Sequence, residues 1–174
     1  MPAIFAHYLF GADTLRQFDD SVRRVVKTHR SLYNIGLQGP DFYFFDQLLR
    51  LRGKKYAQIG SELHHSSCAK LLLALEGDGG KRPDSGSLAY LIGLIGHFAL
   101  DSTCHPSIDR WVEELPYNHH RMETEFDRYL LTEDKFDPLT YRQTEHIHAT
   151  EKNAKVVAPF FDHVTAQQAR KALK

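Results

Sequence analysis

Cysteine is scarce in this 174-residue chain. Cys68 and Cys104 are the two present, so a framework of several disulfides is excluded, and they form no Cys-x-x-Cys motif. Their first reading is a pair of reduced core thiols. Cys68, four residues after His64, and Cys104, beside His105, also admit a role as soft metal ligands. Neither sign of charge is in excess, because 22 basic and 22 acidic side chains cancel. Nothing therefore points to a nucleic-acid-binding surface or a basic membrane anchor. No window approaches the length of a transmembrane helix. Met1–Phe10 lacks the basic start and long apolar run of a targeting segment, and His7 interrupts it. These absences lead to the expectation of a soluble cytoplasmic protein. Alternating apolar runs are few, and there is no short-hairpin signature, internal repeat or low-complexity segment. The length suits a single domain, residues 1–174, with a proper core.

What is abundant is histidine, with 11 residues, and helical periodicity. Asp13 or Thr14 is read as the cap of a helix carrying Leu15, Phe18, Val22 and Val26 on one face. A short helical piece over Ser31–Leu37 stops before Gly39-Pro40, and Asp41–Leu49 restarts. Gln58–Glu76 reads as the next helix and runs into the clearest loop, Gly77 to Gly86. Ser87 is read as the cap of an apolar helix reaching Thr103, with Pro106 marking its end. Ser107–Leu115 forms a short helix, and Asn118 caps His119–Leu131. The remainder, Pro138–Lys174, is helical, more polar and interrupted by Pro159. The class is all-α, with a helical bundle as the architecture.

The chemistry concentrates in Gly96–Pro106. His97, Asp101 and His105 are spaced four apart, which puts them on one helix face about one turn from each other. That helix is otherwise apolar, and ionisable groups in such a setting are costly unless paired or coordinated. His119 and Glu123 repeat the spacing. Their competing reading is an exposed i,i+4 pair, which the neighbouring Arg121, Glu125, Asp127 and Arg128 support. His120 is the rival of His119, but four residues on it meets Thr124, a poor zinc ligand. His64 and His65 are adjacent and point in different directions, so at most one joins the site. Asp41 is read either as a helix cap or as a site carboxylate, and it precedes the aromatic run Phe42-Tyr43-Phe44-Phe45. His7, alone in an apolar stretch, reads by itself as a hydrogen-bonded core residue. His29, His146, His148 and His163 read as surface or structural.

In this order, His7, Asp41, His64/His65, His97-x-x-x-Asp101-x-x-x-His105-Pro106 and His119-x-x-x-Glu123, the residues resemble the zinc-dependent phospholipase C family. That family is a distant relative of the fungal single-strand-specific zinc nucleases. The segments Ala6–Gly11 and Gly36–Asp41 look like its cytoplasmic branch. The motifs span His7 to Glu123, and the part from residue 133 to 174 carries none. The resemblance implies an all-α fold and three clustered zinc ions, and two or three are expected in this chain. His64 (or His65), His97 and Asp101 would hold the first, with Asp41 as a further ligand and candidate base. His105, His119 and Glu123 would hold the second. His7 and the bridging Asp101 would hold the third, which in secreted members is also bound by the free N-terminal amine. His/carboxylate sites accept other divalent transition metals as well.

The expected function is metal-dependent phosphodiester hydrolysis of phospholipase C type, with zinc making a water acidic enough to ionise near pH 7. Asp41 would orient or deprotonate that water, and Phe42 would line a headgroup pocket. The expected substrate is a small-molecule or lipid phosphodiester, with no stable nucleic-acid partner. The alternatives are a single-strand nuclease using the same metals and aromatic stacking, or a non-catalytic metal-binding or scaffold protein. Oligomeric state is left open.

Overall fold

The computed structural model describes residues 4–41, 83–161 and 164–174. Among them lie seven α-helices and one 3-10 turn, so the all-α expectation holds. The helix read over Gln58–Glu76, the restart at Asp41–Leu49 beyond Asp41 itself and most of the glycine loop lie outside the described residues.

Helix α1 (Ile4–Gln17) opens the chain and α2 (Asp20–Thr28) follows it. The periodicity alone predicts one helix starting near Asp13, where the structure has two. Asp19 explains the break: its carboxylate accepts from the backbone N–H of Ser21 and Val22, capping α2. Arg23 then donates to the carbonyls of Leu15, Arg16 and Phe18, which satisfies the exposed end of α1. Helix α3 (Arg30–Leu37) falls where it was expected.

The long helix α4 (Ser85–Glu114) is the spine of the bundle. Its cap is Asp84, whose carboxylate accepts from Gly86 and Ser87, rather than Ser87 itself. Pro106 lies inside it and does not end it, so the separate helix read over Ser107–Leu115 is the last part of α4. Proline in a helix interior removes one backbone bond and costs about 3 kcal/mol. Continuing past it buries Ile108 and brings Asp109 towards the start of the next helix. One consequence corrects the expectation about membrane-length segments. With Pro106 included, α4 is long and apolar enough, by length and composition, to cross a membrane. Its buried positions nevertheless include His97 and Asp101, and it packs against the other helices.

Helix α5 (His119–Glu133) starts on Asn118, which accepts from the Arg121 amide as expected. Residues 134–150 are turns. Helix α6 (Glu151–Val157), the 3-10 turn at Ala158–Phe160 containing Pro159, and α7 (Ala166–Ala172) close the chain. This C-terminal part lacks motifs but not core. Val157, Phe161, Ala172 and Leu173 pack with Leu32, Ile35, Tyr90 and Leu94 in one buried cluster.

The α3–α4 crossing positions the site. A Cβ on Gly36 would fall 2.2 Å from the Tyr90 carbonyl, and one on Gly93 would fall 2.2 Å from the Tyr33 carbonyl. Paired glycines thus let two backbones touch where any side chain would hold them apart. The contact brings the end of α3 against the middle of α4, one turn before His97.

Candidate metal centre

Two clusters of metal-ligating side chains form along α4. The first is buried. His97 and Asp101 are one turn apart on α4, and His7 approaches from α1. One oxygen of Asp101 lies 3.3 Å from His7 Nε2 and the other 3.3 Å from His97 Nε2. The two imidazoles stack with centroids 4.4 Å apart, so both rings present nitrogen to the same carboxylate. His97 is oriented from behind: its Nδ1–H donates to the Leu37 carbonyl at 3.2 Å, leaving Nε2 on the Asp101 side. Asp41 joins at the edge, with an oxygen 4.0 Å from His97 Nε2. His7, His97, Asp101 and Asp41 are all buried.

The turn that delivers Asp41 depends on Gly39. Its φ is +55°, and a Cβ there would lie 2.2 Å from His97 Cδ2. The Gly39 amide donates to the Gly36 carbonyl and the Asp41 amide to the Gln38 carbonyl. Asp41 is therefore held by a turn.

The second cluster is half-exposed. His119, the first residue of α5, puts Nε2 2.8 Å from Glu123 Oε1, and its Nδ1 lies 3.4 Å from Asp109 Oδ1 of α4. The His105 ring lies 5.2 Å from the His119 ring. Glu123 is buried, so the reading of His119 and Glu123 as an ordinary exposed pair does not hold. His120 is 4.0 Å from the other Glu123 oxygen and its side chain is 82% exposed, which leaves His119 the better placed. Burial lowers the His119 pKa below the usual histidine value, favouring the neutral ring that can act as a ligand.

Two residues of the site were not singled out in the sequence. Asp109 is one. Asp127 is the other: it is 1% exposed, and its two oxygens accept from the backbone N–H of Phe5 and Ala6 at 2.8 and 2.9 Å. Asp127 thus caps the first turn of α1 from α5 and fixes the helix that carries His7. Burial pushes its carboxyl up, while the two amides and His7 pull it down. The signal for both was in the spacing. Asp109 extends His97-Asp101-His105 by one more step of four, and Asp127 extends His119-Glu123 likewise.

Of the remaining candidates, His64, His65, Phe42 and Cys68 lie outside the described residues. Cys104 is a free thiol whose pKa is raised by burial and then by Asp101, which disfavours the thiolate. His146 has a structural place: it stacks on Tyr8 with centroids 4.3 Å apart, and burial lowers its pKa to about 4.

The donor sets suit a metal. His7, His97 and Asp101 offer ligand atoms within 4.8 Å of one another, as do His105, Asp109 and His119. Both ring nitrogens of the buried His7 lack a hydrogen-bond partner among the described residues. Leaving such a ring without hydrogen bonds is costly, and a cation beside Asp101 would take the lone pair of Nε2, the nitrogen that faces that carboxylate. Imidazole nitrogens with carboxylate oxygens are the ligands of zinc and its first-row neighbours.

No curated protein and no solved structure matches the chain. The family model described as zinc dependent phospholipase C matches residues 6–174, which takes in both clusters and the motif-free C-terminal helices, and on that match the protein belongs to the zinc-dependent phospholipase C family.

Proposed function

We propose that the protein is a zinc-dependent phosphodiester hydrolase of phospholipase C type, acting on a small-molecule or lipid phosphodiester. The observation that carries this is Asp101, a buried carboxylate with a histidine nitrogen 3.3 Å from each oxygen, together with a second buried carboxylate, Asp41, 4.0 Å from His97 Nε2. In this reading His97 and Asp101, with Asp41 and His64 or His65, hold one ion. His105, His119 and Glu123 hold another, and His7 with Asp101 a third. Zinc bound there supplies a Lewis acid for phosphoryl oxygens and lowers the pKa of a water to about 7.

The chain's own residues do the rest. Leu37 keeps His97 in one tautomer by accepting its Nδ1–H. Asp101 links His7 on α1 to His97 on α4, so closing of the two helices and assembly of the site are one event. Asp41 sits at the rim of the cluster, where a carboxylate can orient an attacking water and take its proton. Phe42, next in sequence, is proposed to line the headgroup pocket. Adjacent steps of four residues along α4 advance about 6 Å. Asp101 and His105 are therefore close enough for the two clusters to serve one phosphodiester.

Elemental analysis of the untagged protein, followed by assays on phosphatidylcholine, a generic phosphodiester and single-stranded DNA, tests the proposal. Two or three zinc ions per chain and turnover of a phosphodiester are expected, with Asp101→Asn losing both metal and activity. Full activity and full metal content in Asp101→Asn would overturn the assignment. So would a protein that stays metal-free in added zinc. Turnover of single-stranded DNA alone would move the reading to a nuclease.

A further inference from the structure

Asp109 lies on α4 one turn beyond His105, and its side chain is 63% exposed. It reaches across to α5 and meets the nitrogen of His119 that faces away from Glu123. We propose that Asp109 is a positioning residue of the second cluster, holding His119 by Nδ1 so that Nε2 stays directed to Glu123. The inference rests on the reading of that cluster as a metal centre.

His119 is the first residue of its helix, next to the Asn118 cap. Its ring has two carboxylates to choose from. Nε2 lies 2.8 Å from Glu123 Oε1 and Nδ1 3.4 Å from Asp109 Oδ1. A neutral imidazole has one N–H and one lone pair. If the N–H is on Nδ1 and donates to Asp109, the lone pair is on Nε2, beside Glu123 and on the side a metal would occupy. If the ring turned over, the lone pair would face solvent near Asp109. The carboxylate on Nδ1 thus selects both tautomer and orientation. Such outer partners fix metal-bound histidines, and their loss typically costs about 10–100-fold in metal affinity.

His105, Asp109 and His119 could themselves hold an ion, and that direct ligation is the rival role the test separates from positioning. The two nitrogens of one ring point in diverging directions, so an ion held by His119 Nε2 and Glu123 would lie on the far side of the ring from Asp109. Its exposure also sets it apart from Glu123, whose side chain is 10% exposed.

The test uses the full chain. Zinc affinity is measured by chelator competition for wild type, Asp109→Ala, Asp109→Asn and His119→Ala, and long-range proton–nitrogen NMR of the zinc-loaded wild type reads the His119 tautomer. Asp109→Ala is expected to weaken one class of zinc by about 10–100-fold. Asp109→Asn, which keeps an acceptor oxygen, should lose less. His119 should show Nδ1–H with zinc on Nε2. Wild-type affinity in Asp109→Ala, or zinc on Nδ1, overturns the positioning role. If His119→Ala loses an ion while Asp109→Ala does not, only the role of Asp109 falls. If His119→Ala keeps every ion at wild-type affinity, the metal-centre reading of this cluster falls with it.

Discussion

Replacing Asp127 tests whether α1, and with it His7, is held from α5. The first turn of α1 contains no acidic residue, and the amides of Phe5 and Ala6 find their acceptor 122 and 121 residues away in the chain. A hydrogen bond to a charged group contributes about 1.5–3 kcal/mol net. Two of them, discounted for the burial that raises the Asp127 pKa, suggest about 3 kcal/mol lost in Asp127→Ala. Asparagine retains one acceptor oxygen but turns its NH2 towards the other amide, so Asp127→Asn should lose about 2 kcal/mol. Urea unfolding of the chelator-treated proteins measures both. Zinc titration should show a second effect, weaker binding at the His7–His97–Asp101 cluster, because the helix supplying His7 is no longer fixed at its start. The reasoning is refuted if Asp127→Asn unfolds within about 0.5 kcal/mol of wild type, the range of ordinary surface substitutions.

Gly39→Ala places a Cβ at φ +55° and 2.2 Å from the His97 ring. Calorimetry should find it destabilised by about 2 kcal/mol or more, with zinc content reduced, because strain and clash fall on the same residue. His146 gives a pH dependence. Its folded pKa of about 4 lies below the ordinary 6.5, so the unfolded chain binds the proton more tightly and stability falls as pH drops from 6.5 towards 4. His146→Phe keeps a ring against Tyr8 but cannot titrate. Between pH 7 and 4.5 the metal-free wild type should lose about 2 kcal/mol more than this variant in urea unfolding, and equal losses would contradict the burial assigned to the ring. Chelator should remove zinc in two phases, first from the cluster of His119, whose side chain is 38% exposed, and later from the cluster of His97, which is 0% exposed. Mass spectrometry of the partly stripped protein, with His119→Ala as the reference, identifies which phase is which.

The sequence by itself determined the class and much of the site. Helical spacing placed His97, Asp101 and His105 on one face, and His119 with Glu123 on another. An i,i+4 relation is local geometry and holds whatever the rest of the chain does. It also determined the start of α5 at Asn118 and the end of α3 before Gly39, because caps and turns act within a few residues. The start of α4 was local too, set by Asp84 rather than by Ser87, since the Asp84 carboxylate accepts from the amides two and three residues on. Its far end was decided by tertiary structure: burial of Ile108 carries the helix past Pro106, whose local signal is to stop. Pairings between helices were invisible for the same reason. His7 met Asp101 in the sequence only through the family resemblance, since its own neighbourhood read as that of a core residue; that pairing, the burial of Glu123 and the cap that Asp127 forms at the other end of the chain follow from how α1, α4 and α5 pack. No residue carries in its sequence neighbourhood the address of a partner more than a hundred positions away. The two glycines that let α3 touch α4 supply the physical reason the packing takes this form: without side chains at Gly36 and Gly93, backbone meets backbone, and the turn after α3 sets Asp41 beside His97.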